Sequence, residues 1–251
     1  MAANHGMRST PYREGGPGPD EPVFSREGVR ALDAAAVAEL GLPGVVLMEN
    51  AALALEQACV EIANGEAAGA VIAVGPGNNG GDGLALARRL LGLGWTVLVA
   101  LSAPSPRFSG DAGINYAAAA ALGVPMIDPE DAVAAAESFA AGATHQVIAV
   151  DCLFGTGLTR PITGVAAELV AMIDRLRGRG AVVLGADLPS GLDAETGEPI
   201  GDVVVRADRT VTFAGWKIGL TKPTAGEFSG VVTVGGIGVP VSFARRFALG
   251  A

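Results

Sequence analysis

The residues best suited to chemistry in this sequence sit in four short glycine-bearing segments. The first is Gly75-Pro76-Gly77-Asn78-Asn79-Gly80-Gly81-Asp82-Gly83. Its glycines allow a backbone to approach a ligand closely or to take positive φ. Gly75, Gly77 and Gly80 also form a G-x-G-x-x-G between an apolar run and a helix-like stretch, the setting of a dinucleotide cradle. Asn78, Asn79 and Asp82 add oxygens for a cation or for the hydroxyls of a ligand. Two features separate this segment from an ordinary dehydrogenase fingerprint. The next apolar run ends in Ser102-Ala103-Pro104, without the acidic residue that would hold a ribose. Asp82 also places a carboxylate where a pyrophosphate would lie, although a helix N-terminus welcomes one. A plain strand-to-helix turn is the competing reading.

The second segment is Asp151-Cys152-Leu153-Phe154-Gly155-Thr156-Gly157-Leu158-Thr159-Arg160-Pro161. Asp151 is expected at the carboxyl end of a strand, where open parallel sheets collect ligand groups. Gly155, Thr156, Gly157 and Arg160 could together grip a phosphate; otherwise Asp151 caps a turn and Arg160 is a surface charge. The third, Asp187-Leu188-Pro189-Ser190-Gly191-Leu192-Asp193, places Asp187 at a matching strand end. Pro189 and Gly191 there fix a turn that aims the Ser190 oxygen back toward the same edge, while Asp193 reads equally as a turn residue. The fourth, Thr212 to Leu220, carries Lys217 as its lone cation. That lysine could balance cleft carboxylates or hold a substrate oxygen; otherwise it is solvated.

These segments need a frame that brings them together. Apolar runs at Ala70–Val74, Trp95–Leu101, Val124–Ile127, Gln146–Val150 and Ala181–Ala186 alternate with helix-like stretches at Leu84–Leu90, Asp111–Leu122, Pro129–Phe139 and Val165–Arg177. Strands at Arg209–Phe213 and Gly230–Val234 follow. Continuous apolar strands alternating with helices predict an α/β fold with a mostly parallel central sheet covered on both faces. The four polar segments then follow strands of one sheet and meet at one edge. Two helices precede this array. The first starts at a Ser25 cap with Val29, Leu32, Ala36 and Leu40 on one face, and the second runs from about Val46 to Asn64.

Composition bounds the function classes. With 251 residues and half of them hydrophobic, one continuous domain over residues 23–251 is expected, after a Gly/Pro-rich tail over residues 1–22. The mean hydropathy of +0.42 is high, yet no run reaches the 18 apolar residues of a membrane span. A net charge of −9 from 17 basic and 26 acidic residues, with no basic stripe, argues against nucleic acid. Cys59 and Cys152 lack metal-ligand spacing and read as buried free thiols in a reducing cytoplasm.

Taken together, Gly77-Asn78-Asn79-Gly80-Gly81-Asp82-Gly83, Val150-Asp151 with Phe154-Gly155-Thr156-Gly157, Asp187 to Asp193, and Lys217-Ile218-Gly219-Leu220 resemble the NAD(P)H-hydrate epimerases, the YjeF N-terminal domain family. Arg30-Ala31-Leu32-Asp33 and Leu47-Met48-Glu49-Asn50-Ala51 are similar to that family's leading helices. The resemblance implies a Rossmann-like three-layer sandwich, usually a homodimer in the cytoplasm, that interconverts the S and R hydrates of NADH and NADPH. It implies one potassium ion (K+) per subunit on Asn79, Asp151 and Ser190. Substrate contacts would fall on Asn78, Asn79, Gly80, Gly81 and Asp82, on Gly155, Thr156, Gly157, Leu158, Thr159, Arg160 and Pro161, and on Asp187. A hydrate dehydratase would act downstream or be fused. For catalysis the residues suggest that Asp187 moves the proton while Lys217 and the cation hold charge in place. Two other functions stay open at this point: a non-catalytic nucleotide-binding or scaffold module of the same fold, and an NAD(P)-dependent oxidoreductase.

Overall fold

The computed structural model describes residues 16–18, 20–66 and 68–250. The chain enters through β1 (Val23–Phe24) and turns directly into α1 (Arg26–Leu40). Ser25 starts that helix by accepting the Gly28 N–H on its hydroxyl, and Gly41 closes it in the left-handed conformation. After α2 (Gly44–Ile62) come β2 (Gly69–Val74), α3 (Asn78–Gly92), β3 (Thr96–Leu101), α4 (Gly110–Ala121) and β4 (Met126–Ile127). Then follow α5 (Ala132–Gly142), β5 (Val147–Cys152), α6 (Val165–Gly178), β6 (Val182–Ala186), β7 (Arg209–Phe213) and β8 (Trp216–Lys217). One-turn α7 (Gly226–Ser229), β9 (Val231–Gly235) and one-turn α8 (Val241–Ala244) complete the described chain.

Seven strands form one sheet in the order β4-β3-β2-β5-β6-β7-β9, and each of their pairings is parallel. Side chains alternate across it. Ala70, Ile72 and Val74 enter one core with Leu32, Leu55, Leu84 and Leu86 from α1, α2 and α3. Val71 and Ala73 enter a second core with Ala136 of α5 and Leu169, Met172 and Ile173 of α6. The result is the three-layer α/β arrangement that the alternation predicted. Counted from β2, the order runs 3-2-1-4-5-6-7. The winding therefore reverses between β2 and β5, where doubly wound sheets open a crevice beyond the strand ends.

Three local features differ from the sequence expectations. Helix α3 begins at Asn78, so most of the first glycine segment is helix rather than loop. None of Gly75, Gly77, Gly80, Gly81 or Gly83 takes positive φ; several are required by close packing instead. A Cβ on Gly80 would lie 1.7 Å from the Gly75 carbonyl oxygen, one on Gly81 2.5 Å from Met48 Sδ, and one on Gly83 2.7 Å from Cys152 Cβ. Second, β5 continues through Asp151 and Cys152, because β2 pairs with it to Cys152 and β6 to Asp151. Third, Trp216 and Lys217 are a short strand paired with β1 (Val23↔Trp216, Phe24↔Lys217) rather than loop.

Residues 1–15 of the expected tail lie outside the described residues. Nearer the domain, Glu21 accepts the Trp216 indole N–H at 3.0 Å and the Pro22 carbonyl accepts the Trp216 N–H at 2.9 Å. The second leading helix is tied to α3 by Glu49, whose carboxylate takes Arg88 at 2.6 Å and Arg89 at 2.9 Å. That tie, with Met48 against Gly81, fixes the helix whose first turn carries the asparagines.

Candidate active site

A cavity of about 1100 Å³ opens at the carboxyl edge of the sheet, over the β2/β5 reversal. Its volume is at the upper end for small-molecule sites. Of the residues expected in a binding site, Asn78, Asn79, Asp82, Gly155, Thr156, Gly157, Leu158, Thr159, Arg160, Asp187 and Lys217 all line it. Gly80 and Gly81 do not; they are buried packing positions beneath it. Pro161 is exposed beyond the rim and lies against Gly201. Asp151 and Ser190 lie fully buried just behind the wall.

The sharpest geometry is at Asp187, the residue that follows β6. Its φ is +65°, unusual for a residue other than glycine, and its N–H is anchored on the Val211 carbonyl at 2.7 Å. This backbone turns the carboxylate along the sheet edge toward β7 and β8. There Oδ1 meets Lys217 Nζ at 2.6 Å and the Phe213 N–H at 3.3 Å. Lys217 is buried rather than solvated, 1% exposed. Its ammonium also donates to the Phe213 carbonyl at 2.7 Å and to Thr212 Oγ1 at 2.9 Å. An ammonium stripped of water requires such a shell. Asp187 Oδ2 points the other way, to within 3.2 Å of where a Cβ on Gly155 would stand, with Asn79 Cγ 3.6 Å from the same point. Gly155 thus threads between the Asp187 carboxylate and the Asn79 amide.

Behind that point, Asp151 Oδ1 accepts the Ser190 hydroxyl at 2.7 Å and the Leu153 N–H at 3.2 Å, and Oδ2 accepts the Ser190 N–H at 2.7 Å. Ser190 Oγ lies 3.1 Å from the Phe154 carbonyl oxygen. The turn that places Ser190 depends on Gly191, at φ +98° with the Val203 carbonyl 2.3 Å from any Cβ. Burial raises the Asp151 carboxyl to about 6, against the pull of its Ser190 and Leu153 donors. In Asn79, also buried, both side-chain polar atoms lack a hydrogen-bond partner among the described residues. A buried amide left so is costly unless something outside the chain satisfies it.

Two carboxyls crowd Asp187. Asp82 is raised well above its ordinary value by burial first, then by the charges of Asp187 and Asp33. Asp33, on α1, is raised to about 6 by burial and by Asp187, with Lys217 opposing. Asp33 and Arg30 line the cavity and were not among the expected site residues. The available signal was weak: Asp33 sits beside Leu32 on the buried stripe of α1, which sequence alone reads as a helix edge. Asp193 proves to be a turn residue, accepting the Glu195 and Thr196 N–H groups at 2.8 and 2.9 Å. It also pairs with Arg26 at 3.0 Å. Arg26 donates in addition to the Thr156 and Leu158 carbonyls at 2.6 and 3.2 Å, and so clamps the Gly155–Arg160 loop.

Known proteins are similar to this chain in sequence and in fold. An NAD(P)H-hydrate epimerase of Rhodopirellula baltica is 35% identical over 228 residues, 91% of this chain and 89% of that protein. One from Oenococcus oeni is 36% identical over 80% of this chain and 89% of its own length. A bifunctional NAD(P)H-hydrate repair enzyme Nnr of Thermofilum pendens is 37% identical over 84% of this chain, which spans only 39% of that longer protein. The crystal structure of yeast YNL200c superposes with a TM-score of 0.70 over 90% of this chain and 93% of that one, at 22% identity; this likeness bears on the fold. The family profile described as YjeF-related protein N-terminus matches residues 44–219, from the start of α2 through β8. The chain belongs to the YjeF N-terminal family.

Proposed function

We propose that this protein is an isomerase of nicotinamide-cofactor repair, an epimerase that interconverts the S and R forms of hydrated NADH and NADPH. The single observation that carries the reading is the Asp187–Lys217 pair, buried at the rim of a dinucleotide-sized cavity with one carboxylate oxygen fixed and the other turned inward. The names of the relatives support it.

Epimerisation at the hydrated ring carbon requires its C–O bond to break and to re-form on the other face. The ring nitrogen's lone pair makes a C=N bond as the hydroxyl, taking up a proton, leaves as water. Water then adds to that carbon and surrenders a proton. Asp187 Oδ2 is placed to take it, because Lys217 occupies Oδ1 and prevents the carboxylate from turning away. The Gly155–Arg160 loop and the Asn78–Asp82 turn hold the nucleotide. Potassium fits the residues behind them: Asn79 Oδ1, Ser190 Oγ and one Asp151 carboxylate are the mixed neutral and anionic oxygens a weakly charged cation takes, and the unpartnered Asn79 amide supports a ligand there. Bound at that point, the ion would offset carboxylate charge and hold the amide in place. A homodimer in the cytoplasm, with a dehydratase step downstream or on a fused domain, completes the reading.

The test is to incubate the full chain with one purified hydrate epimer and follow the appearance of the other. Interconversion at least tenfold faster than the protein-free blank is expected. A rate equal to the blank, with nucleotide binding retained, would make it a binding module. Hydride transfer from unmodified NADH would make it an oxidoreductase.

A further inference from the structure

The epimerase reading leaves one chemical need unmet. A proton must be given on the face the hydroxyl leaves and taken on the face where water adds, and Asp187, held by Lys217, stands on one wall only. The cavity supplies another carboxyl on its α1 wall, and the fold fixes where that wall stands. Strand β1 pairs with β8 so that Phe24 lies opposite Lys217, and α1 begins two residues later. Arg26, its first residue, is held on the Thr156 and Leu158 carbonyls and on Asp193. Its N–H is taken by the Glu195 carboxylate. Helix α1 is thus tied through β1 to the strand that carries Lys217, and through Arg26 to the substrate loop. Asp33 stands seven residues on, about two turns or roughly 10 Å along the axis, and faces the cavity with Val29, Arg30 and Val37.

We propose that Asp33 is a second catalytic residue of this site, the acid that protonates the departing hydroxyl from the α1 wall while Asp187 receives the proton of the water that adds from the sheet side. Two groups on two walls suit a reaction that removes water from one face of a ring and returns it to the other. The step balances. The Asp33 O–H bond breaks as a bond to the hydroxyl oxygen forms; the C–O bond breaks as the ring nitrogen's pair forms C=N. Water then bonds to the carbon, its proton passes to Asp187, and the C=N pair returns to nitrogen. The proton now on Asp187 must go back to Asp33. Asp82, a buried carboxyl that lines the same cavity as both, is the group to relay it. In the reverse direction the roles exchange.

The charged groups facing Asp33 across the cavity are Arg30 of its own helix, Asp82 of α3, Asp111 of α4, Arg160 of the β5–α6 loop, Asp187 and Lys217. Asp111 is turned to the start of α2, where its carboxylate presses on Gly44. Burial, with the carboxylate of Asp187, lets Asp33 keep its proton up to about pH 6, which an acid working near neutral pH needs.

This inference rests on the epimerase reading, and one experiment separates the two. The wild-type chain, Asp33→Asn and Asp33→Glu are assayed on a single hydrate epimer from pH 5 to 9. Wild-type kcat is expected to fall as pH rises above about 6. Asp33→Asn should lower kcat at pH 6 at least tenfold, change KM less than threefold and erase that limb. Asp33→Glu should restore the limb at a displaced pH. An active wild type with an Asp33→Asn variant of equal kcat and pH profile would overturn the role of Asp33 and leave the epimerase intact. If Asp33→Asn does not fold, an unmoved limb in Asp33→Glu overturns it. A wild type inactive on both epimers overturns the functional reading and this proposal with it.

Discussion

Asp187 and Lys217 lie 2.6 Å apart, Oδ1 to Nζ, though 30 residues separate them and only the lysine is sealed from solvent. Three bonds from Lys217 to Thr212, Phe213 and Asp187 stitch the end of β7 to β8 and to the turn after β6. The pair is therefore at once part of the reaction and part of the scaffold. Asp187→Asn is expected to reduce epimerase kcat at least tenfold with the circular dichroism spectrum unchanged. Lys217→Met removes the ammonium from the Asp187 carboxylate and from the Thr212 and Phe213 oxygens it holds. A loss of roughly 3–5 kcal/mol in urea unfolding is expected. A Lys217→Met variant as stable as wild type would show that the pair does not hold the edge together.

Glycines of the Asn78 turn separate packing from ligand approach. Gly80→Ala drives a methyl onto the Gly75 carbonyl, which is backbone and cannot yield. It should cost more than about 3 kcal/mol or abolish folding. Gly77→Ala meets nothing within 4 Å and should cost at most about 1 kcal/mol, as expected at a helix N-cap. Chemical denaturation of the two variants side by side measures this.

Asn79, Asp151 and Ser190 make a salt-specific prediction. Melting temperature should be higher in potassium chloride than in choline chloride at equal ionic strength. Saturation to a hundredfold over Kd corresponds to about 2.7 kcal/mol. Asn79→Ala and Ser190→Ala should lose that difference. A melting temperature indifferent to the cation in the wild type removes the ion from the site.

The raised carboxyls predict how stability follows pH. Asp33 holds its proton to about 6 in the folded chain, above the ordinary carboxylate value of 3.8. The folded state therefore binds protons more tightly than the unfolded one. The stability tied to this proton is present in full below about pH 4, and is lost as pH rises to 6. Asp33→Asn removes an ionisation cost on the order of 2–3 kcal/mol. It should be more stable than wild type at pH 8 and indistinguishable from it at pH 4, by equilibrium unfolding at both values. A residue that weakens the fold at working pH fits a site kept for chemistry.

The sequence by itself determined the parallel α/β frame and the edge at which the polar segments would gather. A period of strand, glycine-bearing turn and helix is a local property, and right-handed crossovers leave it few topologies. It also singled out Asp187 as a strand-end carboxylate and Lys217 as a lone cation, while leaving open whether that lysine meets a carboxylate or solvent. Only the tertiary structure decided that Lys217 is buried in a short strand against Val23 and Phe24, because that pairing joins residues almost two hundred positions apart. It likewise showed that Gly80 and Gly81 are required by packing, since close approach between helix α3 and its neighbours leaves no mark in local propensity. Asp33 is the clearest case. Nothing in the periodicity of α1 tells a solvent-edge carboxylate from one facing a cavity. That distinction arises only where Arg26 and the β1–β8 pairing hold the helix over the site.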